Sequence, residues 1–555
     1  MNMQKIILTA TVVLVVFVLL FSCRERQLPQ LAKEISAINL KTGNVVLCGP
    51  DDKSVGKVSF IISGDDSIKK QFNFAIALLH SFEYDEAEKA FAQIINRDPH
   101  CAMAYWGVAM CNYHPLWTPP ETPELIKGNK ALEVARSIEA KTTRESDYIN
   151  ALSTYYSNWE KADHRTRCLQ YEAAMKTLYE RYPNDKEAAI FYALALDAAA
   201  DPADKTYAKQ KKAGQILNSL YPSAPLHPGI IHYIIHTYDV PELAELALPA
   251  ARKYASVAPA SAHAQHMPSH IFTRLGLWDE SIASNLASIA AAKCYAESAG
   301  IKGHWDEELH GMDYLVYAYL QKKEIKKAKE QWDYLNTFNN VSPPNMKGAY
   351  TFAAIPARYV LENRLWKEAS QLNTTPAGFP MQQFPWQSGI IHFARLLGFV
   401  HINKLDSAKN ELAVLNRLRN ELLAKKESYK ANQLDIQIKA SEGWIALKEG
   451  NNTVALEKMN QSADMEDKTE KHPVTPGEVL PARELLADMY LELKQSDKAL
   501  DAYQADLEKH PNRYNGLNGA AQSAALCGKK DLSDYYTKQL AAVTAVKNQT
   551  VVKAE

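Results

Sequence analysis

One spacing of packing residues recurs along this chain and constrains its fold more than any other feature. In three separate segments an alanine is followed four residues later by a second packing residue and twelve residues later by proline: Ala87, Phe91 and Pro99; Ala247, Ala251 and Pro259; Ala499, Tyr503 and Pro511. Small residues let two antiparallel helices approach closely, and proline ends a helix because it lacks the amide hydrogen. The spacing therefore predicts a row of helical hairpins.

This pattern resembles the tetratricopeptide repeat, whose period is about 34 residues. Weaker copies follow the same register at Gly276 with Asn285, and at Ala328 with Trp332. The resemblance implies an all-α chain, a tetratricopeptide-type α-solenoid of about nine or ten helical hairpins over residues 66–545.

The segments outside that range do not fit the repeat. Residues 23–65 are expected to be a linker that is irregular or β-like, because Val45–Leu47 and Val58–Ile62 flank a turn sequence. Residues 546–555 carry no apolar periodicity, so we expect a frayed tail.

The N-terminus indicates export. Lys5 precedes an uncharged run from Ile6 to Phe21, which is short for a membrane-spanning helix, and polar residues follow. Leu20-Phe21-Ser22-Cys23 resembles the bacterial lipobox, which implies a lipoprotein signal peptide at residues 1–22 and lipidation of Cys23. The resemblance implies a bacterial cell-envelope protein, anchored to the outer or inner membrane and facing the periplasm. An ordinary secretory signal and an uncleaved anchor remain alternatives.

Charge and cysteine usage exclude several classes of protein. The chain has 63 basic and 64 acidic residues, well mixed, so nothing indicates a nucleic-acid-binding surface. The six other cysteines are scattered without a Cys-x-x-Cys pair, so neither a disulfide framework nor a thiolate zinc site is expected. We expect most of these cysteines to be buried in helices.

Histidines and carboxylates recur at equivalent positions of three consecutive predicted hairpins. In the tetratricopeptide family these positions of the first helix face a concave groove, so the resemblance implies that the side chains lie near one another. Imidazole and carboxylate groups together are ligands for divalent transition metals, of which zinc is the best match. The candidate metal ligands are His232, His236, Asp239, His263, His266, His270, His304, His310 and Asp313. The alternative is a hydrogen-bonded network, or a surface that binds the acidic groups of a peptide.

The same region offers candidate catalytic groups. Asp239, Glu308 and Asp313 are candidate proton acceptors, whereas Tyr317 and Arg274 are candidates for holding an anionic group. A histidine pair four residues apart begins at His232, but the next residue is tyrosine instead of the glutamate that zinc proteases use as a base. The sequence therefore argues against a protease of that class.

Three functions remain open at this point. The first is a membrane-anchored extracytoplasmic scaffold that binds a protein or peptide partner in its concave groove, where further groove positions are held by Trp106, Tyr113, His114, Glu484 and Asp488. The second is a metal-dependent, hydrolase-like enzyme that uses the histidine and aspartate groups. The third is a glycan-binding lipoprotein of a nutrient-uptake complex.

Overall fold

The chain was analysed as a computed structural model that describes residues 30–49, 54–116, 118–139, 141–376 and 378–545. The predicted signal peptide, Cys23 and the predicted frayed tail lie outside the described residues. Within these described residues the regular structure is helical apart from two very short strands, and successive helices pack against one another in pairs. The predicted all-α repeat fold is confirmed. None of the described helices combines the length and the apolar composition needed to cross a membrane.

The chain divides into two compact units. The first comprises residues up to Val45 together with Val55–Tyr233, and the second comprises Val46–Ser54 together with the chain from Ile234 onward. The helices of the first unit are α1 (30–38), α2 (Asp66–His80), α3 (Tyr84–Arg97), α4 (Ala102–Cys111), α5 (Thr122–Ser137), α6 (Thr143–Tyr156), α7 (His164–Arg181), α8 (Lys186–Ala198) and α9 (Ala208–Leu220), followed by a short 3-10 turn, Tyr221–Ser223. The unit boundary falls inside α10 (Pro228–Thr237).

The second unit continues the same pattern to the end of the described chain. Its helices are α11 (Ala244–Val257), α12 (Ala262–His266), α13 (Pro268–Arg274), α14 (Trp278–Ser298), α15 (Asp306–Gln321), α16 (Ile325–Leu335), α17 (Met346–Glu362), α18 (Trp366–Ala369), α19 (Pro385–His401), α20 (Leu405–Ala424), α21 (Ser428–Lys448), α22 (Asn452–Asp467), α23 (Ala482–Glu492), α24 (Ser496–Lys509), α25 (Tyr514–Leu526) and α26 (Lys530–Thr544). A 3-10 turn spans Met381–Gln383, and two short parallel strands, β1 (His304–Trp305) and β2 (Val341–Ser342), pair with each other.

The packing between hairpins reproduces the predicted repeat register. In the first unit the ring of Phe91 on α3 fills the space beside Gly107 on α4, where a Cβ atom would lie 2.4 Å from the ring. In the second unit Tyr503 on α24 fills the space beside Gly519 on α25, where a Cβ atom would lie 2.2 Å from the ring. The separation in sequence is 16 residues in both cases. An aromatic residue of one hairpin thus fits against a glycine of the next.

The segment before α2 is irregular. In the described parts of residues 39–65 no strand forms, so the β-like hairpin at Val45–Leu47 and Val58–Ile62 is not observed. The backbone there bonds to other segments instead: the amide of Lys57 donates to the carbonyl of Leu226, and the amide of Phe60 donates to Asn73 Oδ1.

No disulfide framework was expected, but one pair of cysteines does form a disulfide. Cys48 and Cys294 are joined, although 246 positions separate them in sequence. The bond ties residues 46–49 to α14, and the carbonyl of Ser54 accepts a hydrogen bond from the amide of Ala260. Cys101, Cys111 and Cys168 are buried free thiols, as expected. The disulfide therefore holds an N-terminal strap, residues 46–49 and Ser54, against the second unit.

A long irregular segment, residues 468–481, joins α22 to α23 and is buried along most of its length. The carbonyl of Gly477 accepts hydrogen bonds from the Tyr350 hydroxyl (3.1 Å) and from Arg358 Nη2 (2.8 Å). Lys471 Nζ lies 3.2 Å from Asp239 Oδ2. This segment covers Tyr350 and Arg358 on α17, and it also covers Asp239, which follows α10 and which the repeat register assigns to the groove face.

Candidate metal centre

Three histidines of the second unit form a buried triad: His266, His270 and His310. The side chain of Ser261 accepts from the amide of Ala264 and so starts α12, and Pro268 restarts the helix as α13. Because four residues make about one helical turn, His266 and His270 point the same way. His310 on α15 faces them across the helix pair.

The triad is compact and shielded from solvent. His266 Nε2 and His270 Nε2 lie 3.1 Å apart, and the rings of His266 and His310 have centroids 4.1 Å apart. One ligand nitrogen from each of the three side chains falls within 4.8 Å of the others. The exposed fractions are 0% for His266, 3% for His270 and 6% for His310. The three nitrogens therefore surround one small, dry volume.

The hydrogen bonds on the far side of each ring fix where the ring protons lie. Asn285 Nδ2 donates to the carbonyl of Ser281, so Asn285 Oδ1 is the acceptor that faces His266 Nδ1 at 2.8 Å. Asp239 Oδ2 lies 2.9 Å from His270 Nδ1. The charges of Lys471 and Arg274 hold the pKa of Asp239 well below its usual value despite burial, so this carboxylate accepts. Both histidines thus carry their proton on Nδ1.

Two unshared electron pairs consequently face each other across 3.1 Å. A neutral imidazole with its proton on Nδ1 has an unshared pair on Nε2. A second proton on either ring would bridge the two nitrogens, but burial lowers the pKa of His270 and holds that of His266 well below its usual value. A metal cation relieves the same repulsion and needs no ring protonation.

The donor set fits a zinc-like ion. Two nitrogen ligands at about 2.0 to 2.1 Å from a tetrahedral zinc ion lie about 3.3 Å apart, close to the separation of the two Nε2 atoms. Histidines that bind metal ions usually donate their other ring N–H to a carboxylate or an amide oxygen, which fixes the ring. Asp239 and Asn285 occupy those places. The structure therefore presents buried histidines that suit a divalent transition metal.

The first unit contains a second buried triad, His80, Glu187 and His227, whose hydrogen bonds are complete without an ion. Glu187 Oε2 accepts from His80 Nε2 at 3.0 Å, and Oε1 accepts from His227 Nε2 at 2.9 Å. The Tyr233 hydroxyl lies 2.9 Å from His80 Nδ1, and the amide of Ile230 donates to His227 Nδ1. Each ring nitrogen has a complementary hydrogen-bond partner. This triad therefore serves as a comparison for the triad of His266, His270 and His310.

Charged and aromatic groups surround the triad of His266, His270 and His310. Asp239 also pairs with Arg274 Nε at 2.9 Å, and the ring of Tyr314 stacks on His270 with centroids 4.9 Å apart. His236 and His263 lie beside the triad, with ring centroids 6.1 Å apart. On the α15 side, Lys347 pairs with Asp306 and Glu307.

Several predicted ligands lie elsewhere. His232 belongs to the first unit, where its Nδ1 lies 2.6 Å from the carbonyl of His80. His304 lies 2.8 Å from Glu308 and stacks on Phe338. Asp313 pairs with Arg358, and burial raises its pKa to about 6 against the opposing charge of Arg358.

The predicted catalytic groups are held in internal pairs. Glu308 accepts from the Tyr334 hydroxyl and bonds His304, whereas Asp239 and Arg274 bond each other. Tyr317 accepts from Arg513 Nη1 at 2.8 Å. Each of these groups therefore has a structural partner within its unit.

The predicted groove residues are also engaged. Trp106 is 1% exposed and packs on Phe60, and Tyr113 packs on Tyr155 and Tyr171. His114 lies 2.9 Å from Glu124 Oε1. Glu484 accepts from Arg513, and Asp488 accepts from Arg364. These five side chains make contacts within the chain.

Of the groups that orient the triad, Asp239 was predicted as a functional residue, whereas Asn285 and Lys471 were not. Asn285 occupies the position where the repeat places a packing residue, and a polar residue at such a buried position is a usable signal. Lys471 comes from an irregular segment, so no local pattern indicates it. In the triad of the first unit, Glu187 is 107 residues from His80, so no local pattern indicates that carboxylate either.

Comparison with known proteins adds nothing to the assignment of function. No family model matches the chain, and no curated protein matches it in sequence. Among solved structures, a human IFIT1 dimer with PPP-AAAA is 9% identical, covering 87% of this chain and 96% of that one with a TM-score of 0.35. The APC/C hetero-tetramer Cut9–Hcn1 is 13% identical, covering 87% and 88% with a TM-score of 0.30. Naa15/Naa10 bound to HypK-THB is 12% identical, covering 86% and 94% with a TM-score of 0.22.

Proposed function

We propose that this helical-repeat protein binds one divalent transition-metal ion, with zinc the best match, through His266, His270 and His310. The observation that carries the proposal is the 3.1 Å approach of two Nε2 atoms whose rings both place their proton on Nδ1. Burial opposes a bridging proton, and the oxygen acceptors behind both rings orient the unshared pairs toward one point.

Metal content and affinity test this proposal. Protein purified without a metal-affinity tag, stripped with chelator and dialysed against zinc is expected to retain one zinc per chain. His266→Gln and His270→Gln should lose that zinc while remaining folded. His227→Gln is the matched control, because it changes a buried histidine of the satisfied triad. Absence of stoichiometric zinc in the unaltered protein, or loss in the control alone, contradicts the proposal.

A metal-dependent, hydrolase-like activity is the second candidate, and Glu307 favours it. Glu307 Oε2 is a buried oxygen without a hydrogen-bond partner, although Oε1 of the same carboxylate pairs with Lys347. The negative charge of Glu307 acts to raise the pKa of His266, although burial keeps that pKa well below its usual value. If His266, His270 and His310 held a zinc ion, a fourth position would be left for water, and the carboxylate of Glu307 would serve as the proton acceptor.

The enzyme candidate has its own test. Zinc-loaded protein is expected to hydrolyse an activated ester, and Glu307→Gln should lower that rate by about a hundredfold or more while zinc binding is retained. Glu330→Gln, an exposed glutamate on α16, is the control. Equal rates in the Glu307→Gln variant and the unaltered protein would remove Glu307 from this role.

Anchoring outside the cytoplasm is also part of the proposal. It is supported by the lipobox-like sequence ending at Cys23 and by the Cys48–Cys294 pair, because disulfides persist mainly in oxidising compartments. Metabolic labelling with a fatty acid is expected to label the natural chain and not a Cys23→Ser variant. Labelling of both would show that Cys23 is not the lipidation site.

A scaffold that binds a protein or peptide partner remains a further candidate. Repeats of helical hairpins expose extended surfaces that suit such partners. In the second unit, however, residues 468–481 already cover part of the predicted groove face, because Lys471 pairs with Asp239. A peptide would have to bind beside that segment or displace it, so metal binding is the function with the more specific support.

A further inference from the structure

A small cavity in the second unit lies apart from the histidine triad and has a distinct chemistry. Its volume is about 30 Å³, and helices α17, α19, α21, α22 and α23 line it together with the last residues before α23. A cavity needs roughly 10 to 15 Å³ on this measure to hold one water molecule. The space therefore accommodates a chemical group of a few heavy atoms.

Two carboxyl groups line the cavity, and their surroundings differ. Glu478 Oε2 lies 3.1 Å from His510 Nε2, and His510 Nδ1 lies 2.9 Å from Asp506 Oδ1. The hydrogen bond to His510 lowers the pKa of Glu478 to about 2 despite its burial. Glu466 Oε1 accepts from the amide of Ala482 at 2.5 Å, but burial and the charge of Glu478 raise the pKa of Glu466 well above its usual value. Glu466 therefore tends to hold a proton. A different positive charge at the position of that proton would likewise be attracted by Glu478.

The remaining polar groups of the lining leave acceptors available. Gln437 Oε1 is buried without a hydrogen-bond partner. The Tyr350 hydroxyl donates to the carbonyl of Gly477, and Ser462 Oγ donates to the carbonyl of Ile436, so both hydroxyl protons are already used. No lysine or arginine is found among the described residues that line the cavity. The cavity therefore offers oxygen acceptors, among them the carboxylate of Glu478, which pairs with His510.

Apolar and aromatic side chains form the rest of the lining. Trp386 and Phe393 come from α19, and Ile390 and Leu485 add aliphatic surface. A bare alkali-metal ion needs several oxygen ligands around it, whereas an alkylammonium ion presents N–H donors on one side and carbon on the other. Aromatic rings also attract organic cations. The lining thus matches a group that is both cationic and partly apolar.

We infer that this cavity binds the ammonium group of a small primary amine, with Gln437 Oε1, Glu466 and Glu478 as its hydrogen-bond acceptors. The ammonium group takes the position of the proton on Glu466, which is released to solvent. The carbon atoms of the amine lie toward Trp386 and Phe393. None of these residues belongs to the histidine triad, so the inference stands independently of metal binding.

Calorimetric titration of the full chain with methylammonium chloride, in the presence of a chelator, tests the inference. Saturable binding is expected for methylammonium, with at least tenfold weaker binding for potassium ions and for methanol, a neutral molecule of similar size. Equal affinity for potassium would indicate an alkali-metal site and overturn the inference. Equal affinity for methanol, or no binding of methylammonium, would also overturn it.

Variants locate the site. Gln437→Leu removes the unpartnered acceptor and is expected to weaken methylammonium binding about tenfold, because a hydrogen bond to a charged group is stronger than one between neutral groups. Gln461→Leu, on α22 but outside the lining, is the control. If Gln437→Leu does not fold, Glu466→Gln is the second test of the site. Glutamine keeps the size of the side chain, but it has no carboxyl proton that an ammonium group could replace. Unchanged affinity in a folded variant of either kind contradicts the assignment.

Discussion

Asn285 orients His266. Its amide oxygen keeps the proton of His266 on Nδ1 and leaves Nε2 available as a ligand. Asn285→Leu preserves approximate size and removes that acceptor. Loss of such an orienting partner typically weakens metal affinity by about 10- to 100-fold. We expect a loss of that size in zinc competition titrations, with circular dichroism confirming the fold. Asn416→Leu, on α20, is the control. Unchanged zinc affinity in Asn285→Leu would contradict the role of Asn285.

Burial of neutral histidines away from the triad predicts acid sensitivity. His401 stacks on Trp366 with ring centroids 3.9 Å apart, and burial lowers its pKa from 6.5 to about 3. Below pH 6.5 the unfolded chain therefore binds a proton that the folded chain does not. The stability contributed by neutral His401 is complete above about pH 6.5 and is lost as the pH falls toward 3.

His401→Phe tests this linkage, since phenylalanine can still stack and does not titrate. Between pH 7 and pH 5, His401 should account for about 2 kcal/mol of lost stability. Urea unfolding is therefore expected to show a smaller loss for the variant than for the unaltered protein over that interval. The same pH dependence in both proteins would show that His401 is not held neutral.

Part of the site could be predicted from the spacing of its residues. The spacing of His266 and His270 indicates one helical face, and the repeat register places His310 on a helix beside them. The register does not distinguish an imidazole nitrogen with a proton from one with an unshared pair. That distinction depends on Asn285 and Asp239, whose contacts arise from tertiary packing. His304 and Asp313 share the register but find nearer partners, Glu308 and Arg358.

At the scale of elements, the contact between α3 and α4 depends on a glycine. Gly107→Ala would improve helix propensity by about 1 kcal/mol, but its Cβ would lie 2.4 Å from the Phe91 ring. Overpacking of this kind costs typically 1 to 3 kcal/mol, so we expect net destabilisation in urea unfolding. Phe91→Leu makes room for the new methyl group. The double variant should therefore be more stable than the sum of the single effects predicts, and simple additivity would contradict the contact.

The Cys48–Cys294 disulfide supports the element that carries part of the triad. The strap contacts the chain just before Ser261, where α12 begins, through the hydrogen bond from Ala260 to Ser54. Replacing both cysteines with serine is expected to cost about 2 to 5 kcal/mol of stability, measured by thermal unfolding. Cys101→Ser, which changes a buried free thiol, controls for the substitution itself. Equal melting temperatures for the double-serine variant and the unaltered protein would contradict a stabilising bond.

Elements were more predictable than their connections. Spacings such as Ala87 to Phe91 to Pro99 predict helices because each residue acts on its neighbours along the chain. The disulfide joins positions 246 residues apart, and the segment 468–481 has no helical or strand periodicity. Neither follows from local spacing, because both depend on how distant hairpins pack.

Each of the two units encloses a buried triad of metal-binding residue types, His80, Glu187 and His227 in the first unit and His266, His270 and His310 in the second, and the two triads are chemically distinct. In the first unit Glu187 accepts from both histidines, so the hydrogen bonds are complete. In the second unit the corresponding centre has two imidazole nitrogens with unshared pairs and no proton between them. One chain therefore provides both the candidate metal centre and its control.

Diffraction from crystals of zinc-loaded protein, measured on both sides of the zinc absorption edge, would show directly whether zinc binds between His266 and His270. We expect one strong anomalous peak per chain, about 2.0 to 2.1 Å from Nε2 of His266 and of His270, with a nitrogen of His310 as the third ligand and none at His80 and His227. A peak at the first-unit triad instead, or no peak between His266 and His270 at saturating zinc, would contradict the account.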